Sequence, residues 1–521
     1  MNEHLPPLIA AMLRPEFYPE KPAAVELRQT HISYVLLAGA RVYKIKKPVK
    51  FPFLDYSTLE KRRHFCEEEI RLNRRLAPAT YLGVVAIGRA GKEFFLEPDA
   101  AARVEEYAVK MQRLPEERML SALLGRGAVD ADGLAAIAAR LAAFHARAPV
   151  DKAALYGAPA MLRAELEDNF RAMARFVDRT VSRASFEAIR NYSADFQERQ
   201  RALIAGRAGS GRVCEGHGDL RAEHICLVDG IEIFDCVEFD QALRYGDIAS
   251  ECGFLSMDLD FLGFPELAGG FENSYAEAAR DAALAVLLPF YKCYRACVRG
   301  KVEGLKSEER EIDPAERRRA ALQALRYFCL ATRYTRRQRA PMLIAVGGLI
   351  GTGKSTLAGL IGMLTGFPVL SSDVERKKLA GAAPTERKAE EFQQGIYREE
   401  FTDKTYARLL EAADRCLGLG RGAVIDATFA AARRRRPFVE LAHRHGAAAL
   451  FIECTSAERI VQARLAARRA DPAAVSDADW EIYKQARGRF EPFVELPEER
   501  RLVLSTDPGA AVALDKLQAR L

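Results

Sequence analysis

The chain has 521 residues, 49% of them hydrophobic and 29% charged, and this length is too great for one core, so two or three globular domains are expected. Its formal net charge of +6 is small for the length and does not by itself indicate a nucleic-acid binder. The N-terminus lacks a basic segment followed by an apolar one, and no run is apolar enough to cross a bilayer, which predicts a cytoplasmic enzyme.

The first part of the chain predicts a small sheet followed by a mostly helical region. Residues 30–55 alternate in the manner of β-strands, and residues 58–77 have helical periodicity. Residues 116–207 predict helices, residues 212–239 predict short strands around a loop, and helices then resume up to about residue 333. This order indicates a domain with a small sheet lobe and a large helical lobe.

Two acidic residues, Asp219 and Asp235, bracket a predicted hairpin within residues 215–239, which read EGHGDLRAEHICLVDGIEIFDCVEF. This segment resembles the catalytic segment of the aminoglycoside phosphotransferase and choline kinase branch of the protein-kinase-like fold, and the resemblance covers about residues 30–300. It implies that Asp219 orients a substrate hydroxyl and accepts its proton, and that Asp235 holds Mg²⁺ on the phosphates of ATP.

His224 stands where that family has an asparagine, which is the second metal ligand in such enzymes. Imidazole is a poorer partner for Mg²⁺ than an amide oxygen. Three interpretations therefore stay open: the site works with one well-held metal, His224 takes another role, or this half binds nucleotide without transferring phosphate.

A kinase-like lobe also needs a strand lysine paired with a helix glutamate, because the lysine must be fixed against the phosphates. Lys44 is preferred over Lys46, since Val42 would then share its face of the strand under the adenine. Of the glutamates at 67–69, only Glu69 lies on the apolar stripe of the predicted helix. The unused lysine and glutamates are expected to be solvated.

Two further assignments concern the loops of this half. By resemblance, residues 106–111 would be the hinge whose backbone meets adenine, although no glycine-rich loop precedes Lys44. Asp247 is expected to cap a helix beneath the catalytic loop.

The second half begins after a basic stretch at residues 333–340, so the predicted domains are residues 1–338 and 339–521. Apolar strands alternate there with helical segments, which is the pattern of a parallel α/β sheet. The predicted strands are residues 342–346, 368–370, 423–425, 447–452 and 501–504.

A complete phosphate-loop pattern, G-x-x-x-x-G-K-[ST], follows the first of these strands at residues 348–355. The glycines let backbone N–H groups face the phosphates, the lysine reaches the terminal phosphates, and the serine hydroxyl binds Mg²⁺. Binding of a nucleoside triphosphate is therefore the best-supported inference from the sequence. The residues assigned to the nucleotide are Gly348, Gly351, Thr352, Gly353, Lys354, Ser355 and Thr356.

Asp373 and Asp426 follow the second and third strands of this sheet, so both are expected at the rim that faces the phosphates. The domain resembles P-loop kinases of the gluconate kinase, zeta toxin and polynucleotide 5′-hydroxyl kinase type, which have a D-x-x-R pattern after the second strand. The resemblance implies that Asp373 acts on the acceptor hydroxyl, that Arg376 positions the acceptor, and that Asp426 supports Mg²⁺ beside Ser355.

Arginines supply the remaining candidates. Arg464 and Arg468 lie four residues apart on one predicted helix face, which would suit a lid that closes over the transferring phosphate. The run at residues 433–436 could meet a phosphorylated or nucleic-acid acceptor, but a solvated helix start is the preferred interpretation.

The leading interpretation combines an α+β and an α/β domain: a two-lobed protein-kinase-like domain followed by a P-loop NTPase domain with a parallel sheet. Both would use ATP and Mg²⁺ to phosphorylate a hydroxyl group of a small-molecule acceptor. One alternative makes the first domain a nucleotide-sensing module without transfer activity. Another makes the second domain a nucleic-acid 5′-hydroxyl kinase, although nucleic acid is the less favoured partner, and no membrane partner is expected.

Overall fold

The computed structural model describes residues 5–51, 54–98, 103–336, 340–381, 398–469, 480–507 and 509–521, with the backbone alone at residues 468 and 469. By their internal contacts the residues form two compact units. The first comprises Met1–Glu165 and Phe196–Arg295, and the second comprises Leu166–Asp195 and Ala296–Leu521. The domain boundary between residues 338 and 339 remains a prediction. Residues 166–195 and the helical residues that follow 296 belong to the same compact unit as the P-loop region.

The α-helices of the described residues, in chain order, are α1 Pro7–Met12, α2 Leu59–Asn73, α3 Leu120–Gly125, α4 Ala131–His145, α5 Ala153–Tyr156, α6 Pro159–Met173, α7 Arg183–Arg199, α8 Arg201–Gly209, α9 Gln241–Arg244, α10 Ile248–Leu262, α11 Pro265–Ala279, α12 Leu284–Glu308, α13 Pro314–Tyr334, α14 Lys354–Thr365, α15 Ser372–Leu379, α16 Glu399–Gly418, α17 Ala432–Arg444, α18 Glu458–Arg469, α19 Trp480–Arg487 and α20 Ala510–Gln518.

Antiparallel strands make up the sheets of the first unit. They are β1 Val25–Gln29, β2 Ser33–Ala38, β3 Arg41–Lys46, β4 Lys50–Phe51, β5 Leu54–Asp55, β6 Tyr81–Ala90, β7 Glu93–Leu96, β8 Arg103–Gln112, β9 Val213–Glu215, β10 Ile225–Val228, β11 Gly230–Ile233 and β12 Tyr245–Asp247. The main sheet has the order β1-β2-β3-β8-β6-β7, and β10 with β11 forms the hairpin that the sequence predicts.

Helix caps fix two elements near the predicted catalytic residues. Thr58 precedes α2, and its side chain accepts a hydrogen bond from the backbone N–H of Lys61. Asp247 caps α10 by accepting from the backbone N–H of Ala249 at 2.8 Å, as expected, and it also forms a buried ion pair with Arg207. Both helices therefore begin at defined positions.

The hinge prediction for residues 106–111 is wrong, because this segment lies inside β8. β6 pairs with residues 106–111 and β3 pairs with residues 108–111, so the backbone of this segment is used within the sheet. Strand β8 ends only at Gln112, and the connection to the helices starts beyond it.

A parallel sheet forms the centre of the second unit. Its strands are β13 Met342–Gly347, β14 Val369–Ser371, β15 Ala423–Asp426, β16 Ala448–Thr455 and β17 Arg501–Ser505, in the order β14-β15-β13-β16-β17. Alternate residues of β13 enter different hydrophobic clusters. Ile344 and Val346 pack with α14 and α20, and Leu343 and Ala345 pack with α16 and α17. The sheet is thus covered by helices on both faces.

The predicted fold class is confirmed for both halves, and each predicted strand of the second half is present within a few residues. In the part of the chain that the structure describes, no helix has the length and apolar character needed to cross a membrane.

Candidate functional site

Lys44 of β3 lies between two carboxylates, that of Glu69, its predicted partner, and that of Asp235, the predicted metal ligand. Its Nζ is 2.9 Å from Oε1 of Glu69 and 2.8 Å from Oδ1 of Asp235. Glu69 is fully buried on α2, whereas Glu67 and Glu68 pair with arginines on more exposed parts of the same helix. The structure therefore brings together Lys44, Glu69 and Asp235, and the choice of Glu69 agrees with its burial.

The expectation that Lys46 is solvated is wrong, because this residue is only 1% exposed. Its Nζ lies 2.8 Å from Oε2 of Glu69 and pairs also with Glu238, whose carboxylate accepts a hydrogen bond from the Tyr56 hydroxyl at 2.6 Å. Burial alone would lower the pKa of Lys46, but Glu238 and Glu69 raise it well above the ordinary value. Glu69 is thus shared between two charged lysines.

Asp219 forms a bidentate ion pair with Arg221. The Nε and Nη2 atoms of Arg221 donate to the two carboxylate oxygens at 3.0 and 2.8 Å. This geometry places a guanidinium beside the carboxylate that the resemblance assigns to the acceptor hydroxyl. Sequence reasoning missed Arg221, although its place two residues after Asp219 was a usable signal.

Glu251 of α10 anchors the loop that carries Asp219. Its carboxylate accepts hydrogen bonds from the backbone N–H groups of His217, at 2.6 Å, and Gly218, and lies 2.9 Å from Nε2 of His145. Burial opposes ionisation of Glu251, but the contact with His145 lowers its pKa to about 2. Burial lowers the pKa of His217 to about 4, so its imidazole is neutral at physiological pH. The loop is therefore held by a charged, buried acid.

The phosphate loop joins β13 to α14 and has the backbone that its glycines permit. Gly348 has φ +131°, and a Cβ there would lie 2.5 Å from the carbonyl oxygen of Cys454. Gly351 has φ +75°, and a Cβ there would lie 2.7 Å from Val461. Helix α14 begins at Lys354, so its N-terminal N–H groups face the loop. A side chain at either glycine would collide with these neighbours, so the path of the loop requires glycine at both positions.

Arg464 of α18 contacts the phosphate loop directly. It donates to the carbonyl oxygen of Gly351 at 3.3 Å and to the hydroxyl of Thr506 at 2.9 Å, and Thr506 in turn donates to the carbonyl oxygen of Thr352 at 2.7 Å. Arg464 is thus beside the loop, as a lid residue would be. The side chain of Arg468 lies outside the described residues.

A cavity of about 350 Å³ opens next to this arginine and the start of α14. Its size suits a nucleobase with part of a ribose, and most of its walls are apolar. The residues that line it are Gly353, Thr356, Leu357, Arg464, Ala467, Thr506, Gly509, Ala510 and Ala513.

The acidic residues at the rim lie where the strand order predicts. Asp426 is buried at the end of β15, and the register pairs it with Val346 on one side and Ser371 on the other. Asp373 follows in the first turn of α15, where its carboxylate lies 3.1 Å from Nη1 of Arg376. Both acids are therefore at the end of the sheet from which the phosphate loop leaves.

The arginine run at 433–436 is not a solvated helix start throughout, because Arg435 is fully buried. Arg435 donates to the carbonyl oxygen of Phe429 at 2.7 Å and lies over the ring of Phe493. Every arginine of the run pairs with a carboxylate of the second unit, and the partners in order are Glu399, Asp403, Glu495 and Glu440. Arg435 therefore has a structural role, whereas Arg433 and Arg436 form exposed pairs that contribute little to stability.

A family model described as an AAA domain matches residues 343–493. Three uncharacterized proteins, one of Mycobacterium bovis and two of Mycobacterium tuberculosis, are each 33% identical to this chain over 450 residues, which is 85% of this chain and 86% of theirs.

Among solved structures, a gluconokinase from Sinorhizobium meliloti is 18% identical, with a TM-score of 0.25, and covers 36% of this chain and 93% of its own. A choline/ethanolamine kinase family protein from Mesorhizobium loti is 11% identical, with a TM-score of 0.37, and covers 63% of this chain and 95% of its own. The family model supports the predicted P-loop domain in the second half of the chain.

Proposed function

This chain belongs to the family of the three mycobacterial proteins, and we propose that it is an ATP-dependent phosphotransferase with one nucleotide site in each unit. The observation that carries the proposal is the phosphate loop, which leads into the N-terminus of α14 and is contacted by Arg464 beside a cavity of about 350 Å³. Asp426 ends the neighbouring strand β15. Each site would transfer the γ-phosphoryl group of ATP to a hydroxyl group of a small molecule.

In the second unit, the base of ATP would occupy the cavity beside Thr356, and Lys354 with the N-terminus of α14 would bind the phosphates. Ser355 and Asp426 fit the oxygen ligands that Mg²⁺ requires, and the ion would offset phosphate charge. Asp373 would accept the proton of the acceptor hydroxyl while the new O–P bond forms. The bond from the γ-phosphorus to the bridging oxygen breaks, and ADP leaves.

In the first unit, the corresponding parts are Lys44 for the phosphates, Asp235 for the cation and Asp219 for the acceptor hydroxyl. Lys44 now pairs with Asp235 at 2.8 Å and would move to the phosphates when nucleotide binds, which frees an oxygen of Asp235. Glu69 would keep its position because Lys46 holds its other oxygen. Arg221 would offset the charge of the transferring group.

Labelled ATP and a mixture of cell metabolites test the proposal on the full chain. Lys354→Ala should abolish phosphate transfer by the second unit and leave transfer by the first unit unchanged. Asp373→Ala should slow transfer by the second unit by about 10²-fold or more. Lys404→Ala, an exposed lysine of the same unit, serves as the matched control and should change nothing. ATP turnover that is unchanged in both Lys354→Ala and Asp373→Ala would refute the assignment.

A second candidate function is that the first unit senses nucleotide without transferring phosphate and regulates the second. The bidentate pair between Arg221 and Asp219 favours it, because that carboxylate already uses both oxygens. In a Lys354→Ala chain, transfer that depends on Asp219 would exclude this candidate. Binding of ATP without any transferred phosphate, followed by a gain of transfer in His224→Asn, would support it.

A further inference from the structure

His224 and Asp235 are brought together at the open end of the β10–β11 hairpin. Backbone pairing continues beyond the strands, since the N–H of Phe234 donates to the carbonyl oxygen of His224 at 3.0 Å. Asp235 has φ +62°, a left-handed conformation that costs a non-glycine residue free energy and is often retained at functional sites. As a result, Nε2 of His224 lies 3.7 Å from Oδ2 of Asp235.

The contacts of the imidazole define which nitrogen carries the proton. Nδ1 lies 2.8 Å from the backbone carbonyl oxygen of Asp219, which can only accept, so Nδ1 carries the hydrogen. Nη2 of Arg221, which can only donate, lies 3.4 Å from Nε2, which fits a lone pair at that atom. Histidines that bind metals commonly donate their other N–H to a backbone carbonyl in this way. The ring therefore has the orientation and tautomer of a metal ligand.

Charge around the pair also favours a cation. The carboxylates of Asp219 and Glu223 lie 3.6 and 3.8 Å from the nitrogens of His224, and Asp235 adds a third negative group. Arg221 pairs with the first two, and Lys44 takes only the Oδ1 oxygen of Asp235. The Oδ2 oxygen of Asp235 and the Nε2 atom of His224 are thus 3.7 Å apart, and Nη2 of Arg221 lies 3.4 Å from the same nitrogen.

We propose that His224 Nε2 and Asp235 Oδ2 are the protein ligands of a divalent transition-metal ion, which this site selects over Mg²⁺ and binds together with nucleotide. A separation of 3.7 Å can be bridged by one ion with bonds of about 2.1 Å to each atom. Imidazole nitrogen suits first-row transition metals, whereas Mg²⁺ prefers oxygen. This inference rests on the proposed nucleotide site of the first unit.

Nucleotide is required because the protein supplies too few ligands. Within the described residues, no group of three or more His, Cys, Asp or Glu side chains is placed to hold a metal ion. Phosphate oxygens and water would complete the coordination, so the ion should bind only weakly without nucleotide. Mn²⁺ is a suitable probe, because it binds nitrogen least strongly in the first-row series and so sets the minimum selectivity.

Pulsed electron paramagnetic resonance of Mn²⁺ tests the proposal on the full chain. The Lys354→Ala variant, which lacks the second phosphate site, is loaded with Mn²⁺ and a non-hydrolysable ATP analogue, and binding of the analogue is measured in the same sample. A nitrogen coupling to Mn²⁺ is expected, and labelling with ¹⁵N-histidine should change its frequency. His224→Asn should remove the coupling, whereas His64→Asn, an exposed histidine of the same unit, should retain it.

Competition gives the second readout. The excess of Mg²⁺ that displaces half of the bound Mn²⁺ should be at least about tenfold greater in the parent than in His224→Asn. If the analogue and Mn²⁺ bind without histidine coupling, or if His224→Asn leaves the Mg²⁺ excess unchanged, the inference is overturned while the nucleotide site stands. If the analogue does not bind at all, the proposed nucleotide site of the first unit fails and the inference fails with it.

Discussion

Replacing Lys46 with Met is expected to destabilise the first unit strongly, because the substitution leaves a charged acid buried without its cation. Lys46 is 1% exposed and is shared by Glu69 and Glu238. In this variant Glu69 would still form its ion pair with Lys44, at 2.9 Å. Glu238 would lose its lysine and retain the hydrogen bond from the hydroxyl of Tyr56. Breaking one side of a buried ion pair costs about 3–5 kcal/mol. That cost corresponds to roughly two to four orders of magnitude in the opening equilibrium.

Adding Glu238→Gln to Lys46→Met removes the uncompensated charge and should recover about 1–3 kcal/mol. Hydrogen–deuterium exchange of the amides in β3 and α2 measures the opening free energy, and peptides of β13 in the second unit provide an internal reference. Lys50→Met replaces a largely exposed lysine nearby and should change the opening free energy of β3 and α2 by less than about 0.5 kcal/mol. A double variant that is no more stable than Lys46→Met would refute the reasoning.

Three further outcomes are expected. Since His217 has a pKa of about 4 in the folded unit against an ordinary 6.5, the unfolded chain takes up its proton first as pH falls. Stability of the first unit should thus decline between pH 6.5 and 4, and urea unfolding of His217→Asn should show a weaker decline. Arg435→Leu should destabilise the second unit by about 3 kcal/mol in thermal unfolding, whereas Arg433→Ala should change it by less than about 0.5 kcal/mol. Gly348→Ala should weaken ATP binding roughly tenfold or more in equilibrium dialysis, because its Cβ would meet the Cys454 carbonyl and displace the loop. Unchanged affinity would refute this requirement for glycine.

The sequence by itself determined the features that depend on local chemistry and periodicity. The phosphate loop needs glycines and a lysine at fixed spacing, and parallel strands read as apolar runs, so both were predictable. Alternation along β3 and the stripe on α2 selected Lys44 and Glu69, which the structure places 2.9 Å apart. The order of the strands also predicted that Asp426 lies at the rim of the sheet.

Only the tertiary structure decided which charges are buried, because the partners of a buried charge come from distant parts of the chain. Lys46 and Glu238 are 192 positions apart, and nothing near either residue distinguishes it from a solvated charge. Arg435 resembles its neighbours in a basic run, yet packing against Phe493 makes it the buried member. The hinge at 106–111 was misplaced for a similar reason, since pairing with β3 and β6 extends β8 beyond what local sequence indicates. Burial and sheet pairing are properties of assembled elements, so a local pattern leaves them open.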